Sequence, residues 1–179
     1  MIEIRAAEIT DLPSVAQLVA LSFHPGSGWQ ALWRSFIQLG IEQDLRDRWQ
    51  RERPHYHCWL AVLRTGGSAL CVGSVEVQLR ELRGQPSPYL SNLAVHPDYR
   101  RRGIGRRLLE TVETHLCSTY SNLYLHVLAQ NQAAQQLYAR CGFEVVEEGF
   151  TFWGERKLLL RKSLASDRPY SPSPISSSV

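Results

Sequence analysis

The sequence predicts an α/β domain with a mostly antiparallel first half and at least one strand-helix-strand crossover. Three observations carry this. Strand-like runs follow one another across glycine turns between residues 55 and 95. An amphipathic helix pattern then separates the third of these strands from a nearly continuous apolar run at 121–129. A short helical segment and two more strand-like segments close the pattern before residue 164.

Taken in order, "IEIRAA" alternates as a strand does, and Asp11 is placed to cap a helix through Val15, Leu18, Val19 and Phe23. "HPGSG" (24–28) reads as a loop. Trp29, Trp33, Phe36, Ile37, Ile41, Leu45 and Trp49 recur at helical spacing, with Gly40 as a break between two helices. The tryptophans there are expected in the core. "HYHCWLAVL" (55–63) and "ALCVGSVEVQL" (69–79) are strands joined through Gly66-Gly67. "RELRGQPSP" reads as a polar loop, and "YLSNLAV" (89–95) as a strand closed by Pro97. Ile104, Leu108, Leu109, Val112 and Leu116 mark one face of a helix. "SNLYLHVLA" (121–129) is apolar enough for a strand covered on both faces. A helix from Asn131 to Arg140, a turn at Gly142, and strands in "FEVVEE" and "WGERKLLLRKSL" follow. Beyond Leu164, "ASDRPYSPSPISSSV" holds three prolines and six serines, so residues 165–179 are expected to be a disordered tail on a 1–164 domain.

Composition narrows the function. The 44% apolar and 21% charged content suits a globular domain, and no apolar run approaches the roughly 20 residues of a membrane span. The net charge of +3 argues against a protein built to coat nucleic acid. Four cysteines without metal-ligand spacing point to no metal and to a reducing, cytoplasmic setting, and the acidic N-terminus does not read as a targeting signal.

Positive charge is local. Five of the 20 basic residues lie within 100–107, in "RRRGIGRR". Here a strand ends and a helix begins, so free backbone N–H groups and the helix dipole favour an anion, with glycines allowing close approach. The turn lacks the Lys-Ser/Thr of a P-loop, and Leu108 stands where a dinucleotide fingerprint needs a third glycine. On its own it is also compatible with a solvated helix start or, less well, a basic nucleic-acid patch.

What remains is Arg-x-x-Gly-x-Gly from Arg100 to Gly105, behind "NLAVHPDY". It resembles the acetyl-CoA pyrophosphate loop of the GNAT superfamily of N-acetyltransferases. A second segment agrees with it: Asn131, Ala134, Leu137, Tyr138, Gly142 and Phe143 resemble the family pattern N-x-x-A-x-x-L-Y-x-x-x-G-F. The resemblance is close over 89–146. It implies an α+β fold with a mixed, mostly antiparallel central sheet flanked by helices. It also implies an acetyl-CoA-dependent N-acetyltransferase.

Carried over residue by residue, the resemblance assigns backbone groups of Leu93, Ala94 and Val95 to the pantetheine arm. The turn of Arg101, Arg102, Gly103, Ile104, Gly105 and Arg106 would hold the pyrophosphate, and Asn131 would contact the cofactor. Tyr138 would stand near the sulfur as general acid; core packing is its structural alternative, and helix capping is that of Asn131. For the base, His126 stands where many family members are thought to carry a glutamate, and Glu76 is a second candidate; the choice stays open. Segment 24–49 and the region of Phe150, Phe152 and Trp153 would wall the acceptor groove. The resemblance extends to enzymes that acetylate protein N-termini and lysines, implying a protein or peptide acceptor; no nucleic acid or membrane partner is expected, and the chain is expected to be a monomer or homodimer. A small-amine acetyltransferase and a catalytically silent acyl-CoA-binding module are the alternatives.

Overall fold

The computed structural model describes residues 1–23, 29–51 and 55–164, the side chains of 23–37 excepted. The loop expected at 24–28, the apolar face formed by Trp29, Trp33, Phe36 and Ile37, and the tail at 165–179 fall outside what is described. Strands β1 (Ile2–Ala6), β2 (His57–Thr65), β3 (Ser68–Leu82), β4 (Gln85–Val95), β5 (Asn122–Leu128), β6 (Glu144–Phe150) and β7 (Arg156–Ser163) form one sheet. Its order is β1-β2-β3-β4-β5-β7-β6. Every pairing is antiparallel except β4 with β5. This is the mixed, mostly antiparallel sheet that the family resemblance implies, with the antiparallel first half and the crossover that the sequence pattern predicts. Helices α1 (Leu12–Phe23), α2 (Trp29–Arg51), α3 (Ile104–Leu116) and α4 (Gln132–Arg140) flank it.

The two faces have separate cores. Leu108, Leu109 and Val112 of α3 pack with Val75, Leu90, Leu123, Leu125 and Leu160 from alternate strand positions. On the other face Val15, Leu18 and Val19 of α1 and Leu45 of α2 pack with Cys58, Leu60 and Ala94. Gly73 is where α3 comes closest to the sheet. A Cβ there would lie 2.8 Å from Ile104 Cγ2 and 3.1 Å from Leu108 Cδ1. Gly73→Ala is therefore expected to lower stability by about 1–3 kcal/mol through overpacking, read as a lower urea midpoint with unchanged m.

Four local expectations are corrected. Asp11 does not cap α1; it accepts the Glu8 N–H at 2.8 Å within a short 3-10 turn and pairs with Arg5 at 2.6 Å. Gly40 does not break the helix, because α2 runs unbroken through it and a solvent-facing glycine costs only about 1 kcal/mol. "RELRGQPSP" is no loop but the end of β3 and the start of β4. They are joined by Arg83-Gly84, with φ of 54° and 76° and Leu82 paired to Gln85. This is a primed hairpin turn whose first residue is arginine instead of the usual asparagine or glycine. β5 is covered on one face only: Leu123, Leu125 and Val127 are buried, while His126 between them is exposed.

Candidate functional site

The site begins where the sheet splits. β4 and β5 share one paired position, Tyr89 with Tyr124, and then separate. β4 also carries a bulge there: Ser74 faces Ala94 and Glu76 faces Ser91, so Asn92 and Leu93 together oppose Val75. Asn92 has φ of 48°, a left-handed conformation that asparagine tolerates better than most residues. The fork opens into a cleft of about 600 Å³ walled by Leu93, Ala94 and Val95 of β4, the start of α3, and one side of α4.

The turn before α3 makes the mouth of this cleft. His96 N–H bonds Val72 C=O at 3.0 Å and Arg100 Nε bonds Val95 C=O at 3.2 Å, which ties the turn to the sheet. Arg101 and Gly103 are both left-handed, with φ of 62° and 75°. Gly103 stands at the N-cap of α3 with no side-chain cap. The first N–H to bond back is that of Arg107, to Gly103 C=O at 3.0 Å. The N–H groups of Ile104, Gly105 and Arg106 thus have no partner within the helix, and they gather at its positive end. Among the described residues no atom lies within 4 Å of a Cβ built on Gly103, and Gly103, Ile104, Gly105 and Arg106 all line the cleft. Gly105 is the opposite case: its missing Cβ would lie 3.1 Å from Leu137 Cδ2, so α3 and α4 meet there. Arg100, Arg101, Arg106 and Arg140 add charge around the opening. Such a mouth suits a polyanion. Arg102 does not line it; its guanidinium lies 5.2 Å from the Tyr99 ring.

α4 supplies the far wall. Asn131 Oδ1 accepts the Ala134 N–H at 3.1 Å, so it caps the helix, which leaves its amide nitrogen for the cleft it lines. Tyr138 lines the cleft while only 7% exposed, with its ring edge-on to Phe143 at 5.6 Å. Burial, and then Tyr89 nearby, push its phenol well above the usual value of 10. It therefore keeps its hydrogen throughout the physiological range and is a donor, not a base. Gly142, at φ of 82°, ends the helix and lets the Phe143 N–H reach Tyr138 C=O at 3.0 Å.

His126 does not line the cleft. It lies two residues past the last shared position of β5, on the sheet face opposite Leu125 and Val127. Tyr89 Oη is 2.9 Å from His126 Nδ1 and accepts the His126 backbone N–H at 3.2 Å. The phenol can donate its hydrogen to Nδ1 when the imidazole hydrogen sits on Nε2. Partial burial, with Lys157 and Arg80 nearby, lowers the imidazole pKa below 6.5. Tyr89 is a partner that the motif spacing does not announce. Its only sequence signal is its place one residue before core-facing Leu90, which turns it to the His126 face.

Glu76 is fully buried, and both its oxygens are occupied: Asn92 Nδ2 donates to Oε1 at 2.8 Å and Arg48 Nη1 to Oε2 at 3.1 Å. Burial raises its pKa against the pull of Asn92, Arg48 and the Tyr56 phenol. Phe152 and Trp153 stand 93% and 84% exposed between β6 and β7, with Phe150 at the end of β6. Among the described residues, no three histidine, cysteine, aspartate or glutamate side chains gather as metal ligands.

A forked sheet with a left-handed glycine turn at its mouth defines an acetyltransferase-type domain, and comparison agrees. Residues 27–143 match the model of the acetyltransferase (GNAT) family, and the chain belongs to that family. It is 29% identical over 187 residues to GCN5-related N-acetyltransferase 5, chloroplastic, of Arabidopsis thaliana, covering 90% of this chain and 58% of that protein. It is 35% identical over 81 residues to N-alpha-acetyltransferase 50 of Danio rerio, covering 44% and 48%. The chain thus spans about half the length of these curated relatives. The ribosomal-protein-S18-alanine N-acetyltransferase of Escherichia coli shares the fold, with a TM-score of 0.66 at 23% identity over 96% of this chain and 100% of that one. So does the PaiA N-acetyltransferase of Thermoplasma acidophilum in complex with coenzyme A, with a TM-score of 0.69 at 20% identity over 91% and 99%.

Proposed function

We propose that the chain transfers acetyl from acetyl-CoA to a primary amine, a protein N-terminal α-amine, a lysine, or both, by direct attack in a ternary complex. The observation that carries this is the cleft: unpartnered N–H groups and arginines at its mouth, β4 backbone along one wall, and a buried, protonated tyrosine on the other. The mouth suits the pyrophosphate, with Gly103, Ile104, Gly105 and Arg106 as donors and Arg101 as counter-charge. Leu93, Ala94 and Val95 flank the pantetheine arm, and Asn131 offers its amide. In this assignment Arg102 steers by charge alone.

The thioester supplies an activated carbonyl; the amine nitrogen bonds to its carbon, the C–S bond breaks, and coenzyme A leaves as a thiolate. Tyr138 Oη donates its hydrogen to that sulfur. Backbone N–H groups along the bulged end of β4 stabilise the transient oxyanion. On the other sheet face, Tyr89 Oη takes up the proton that the amine loses while its own hydrogen passes to His126 Nδ1. His126 is thus the base, acting through Tyr89. A lowered imidazole pKa keeps it neutral and ready at pH 7.

A protein acceptor is supported by the Danio rerio relative, whose name is N-alpha-acetyltransferase 50. Exposed Phe152 and Trp153 supply apolar surface for a peptide. The four cysteines are free, which supports a reducing, cytoplasmic setting. Mass spectrometry of a peptide library incubated with isotope-labelled acetyl-CoA tests this reading. Label above a no-enzyme control is expected, and its position separates α-amines from lysines. No label in a sample that binds acetyl-CoA would overturn the protein-acceptor reading, and labelled amine metabolites would then identify a small-molecule enzyme.

A further inference from the structure

Glu76 is left without a role in that chemistry. It sits mid-strand on β3, 0% exposed, with both oxygens bound to side chains from two other elements. Arg48 comes from the last turns of α2, where it also pairs with Asp44. Asn92 is the left-handed residue of the β4 bulge. The other titratable neighbours of the carboxylate are Asp44, whose charge opposes its own, and Tyr56 and Cys58, both buried and both held well above their usual pKa, chiefly by burial and then by Glu76 itself. The carboxylate is 0% exposed and is not part of the cleft lining, so it has no direct contact with an acceptor's proton there. A buried ion pair is also a poor source of net stability, because desolvation offsets most of the attraction. What it does supply is geometry.

That geometry bears on the three residues after Asn92. Leu93, Ala94 and Val95 line the cleft, and Asn92 and Leu93 are the two residues that the bulge sets opposite Val75. A left-handed non-glycine residue persists where its surroundings hold it, and here the Asn92 amide is anchored on Glu76 Oε1. We propose that Glu76 is a positioning residue for acyl transfer: through Asn92 it fixes the bulge that aims Leu93–Val95 into the cleft, and through Arg48 it ties that bulge to α2. This rests on the acetyltransferase reading above. The clamp joins the cofactor strand to a helix of the opposite face, so the position of α2 and the shape of the cleft are set together.

Glu76→Gln keeps size and one acceptor for Asn92 but loses the charge that holds Arg48. Asn92→Gly keeps the left-handed backbone but loses the anchor. For each variant, kcat is expected to fall about five- to twentyfold. Affinity for coenzyme A by calorimetry should fall less than kcat does, because the turn before α3 is untouched. The acid limb of the pH–kcat profile should not move. Amide hydrogen exchange should quicken at 91–95 and not in β1 or β7. Wild-type kcat in both variants overturns the proposal. So does loss of the acid limb in Glu76→Gln, which would make Glu76 the base. Should Glu76→Gln not fold, Asn92→Gly and the double variant Arg48→Met/Glu76→Gln decide by the same readouts. If the wild-type chain acetylates no amine, the acetyltransferase reading fails on its own, and the exchange comparison still tests the clamp: unchanged protection at 91–95 removes it.

Discussion

Tyr138→Phe is expected to lower kcat about 10²-fold, the usual worth of a positioned general acid, with acetyl-CoA affinity nearly unchanged. The phenylalanine keeps the ring that packs on Phe143 and on the cleft wall, so the substitution removes one oxygen and little else. The phenol is held protonated by burial. Its loss should therefore act on expulsion of the thiolate and not on removal of the amine proton. Two readouts separate these. The pH–kcat profile should drop without changing shape, and an acyl donor with a more acidic thiol, which leaves without help, should be affected least. Equal turnover of wild type and variant would take Tyr138 out of the mechanism.

His126→Gln should reduce kcat at pH 7 at least about tenfold, and by more for lysine than for an α-amine, because the ammonium groups titrate near ~10.4 and ~8. The sign of the pH dependence comes from the lowered imidazole pKa. The neutral, working form is present above that value and lost as pH falls through it. Wild-type kcat should then rise with pH below 6.5 and be level by neutrality, and the variant should lose that limb. Tyr89→Phe should give a similar loss. Since the two side chains share one hydrogen bond of 2.9 Å, the double variant should cost little more than either single one. Additive losses would separate Tyr89 from the relay.

Most of this architecture is legible in the sequence. Alternation gives β1, the Gly66-Gly67 turn frames β2 and β3, the 3.6 period gives α3, and the glycine turn with the Asn131–Phe143 spacing gives the candidate site. Where the sequence misleads, a tertiary or backbone effect outweighs the local signal. Gly66-Gly67 announces a turn, but Arg83 at a φ of 54° does not, so the long β3–β4 hairpin is hidden in polar residues. Gly40 reads as a breaker, yet α2 carries it because no packed contact is required there. Apolar residues throughout 121–129 suggest two covered faces, but only the face of Leu123, Leu125 and Val127 is buried, and His126 on the other is exposed. Long-range pairs are the least legible of all. Nothing in the spacing joins Glu76 to Arg48 or Tyr89 to His126, because each pair is assembled by strand register and helix placement.

The single rung at Tyr89 and Tyr124 also has a mechanical side. The sheet is two stiff leaves, β1 to β4 and β5 to β7, stitched at one point and backed on one face by a shared core beneath α3. A molecule lying in the fork touches both leaves and acts as a splint across the seam. Saturating coenzyme A should therefore raise the melting temperature, and slow exchange most along the free edges of β4 and β5. Without that splint, the cleft itself is where the two leaves are expected to part most easily.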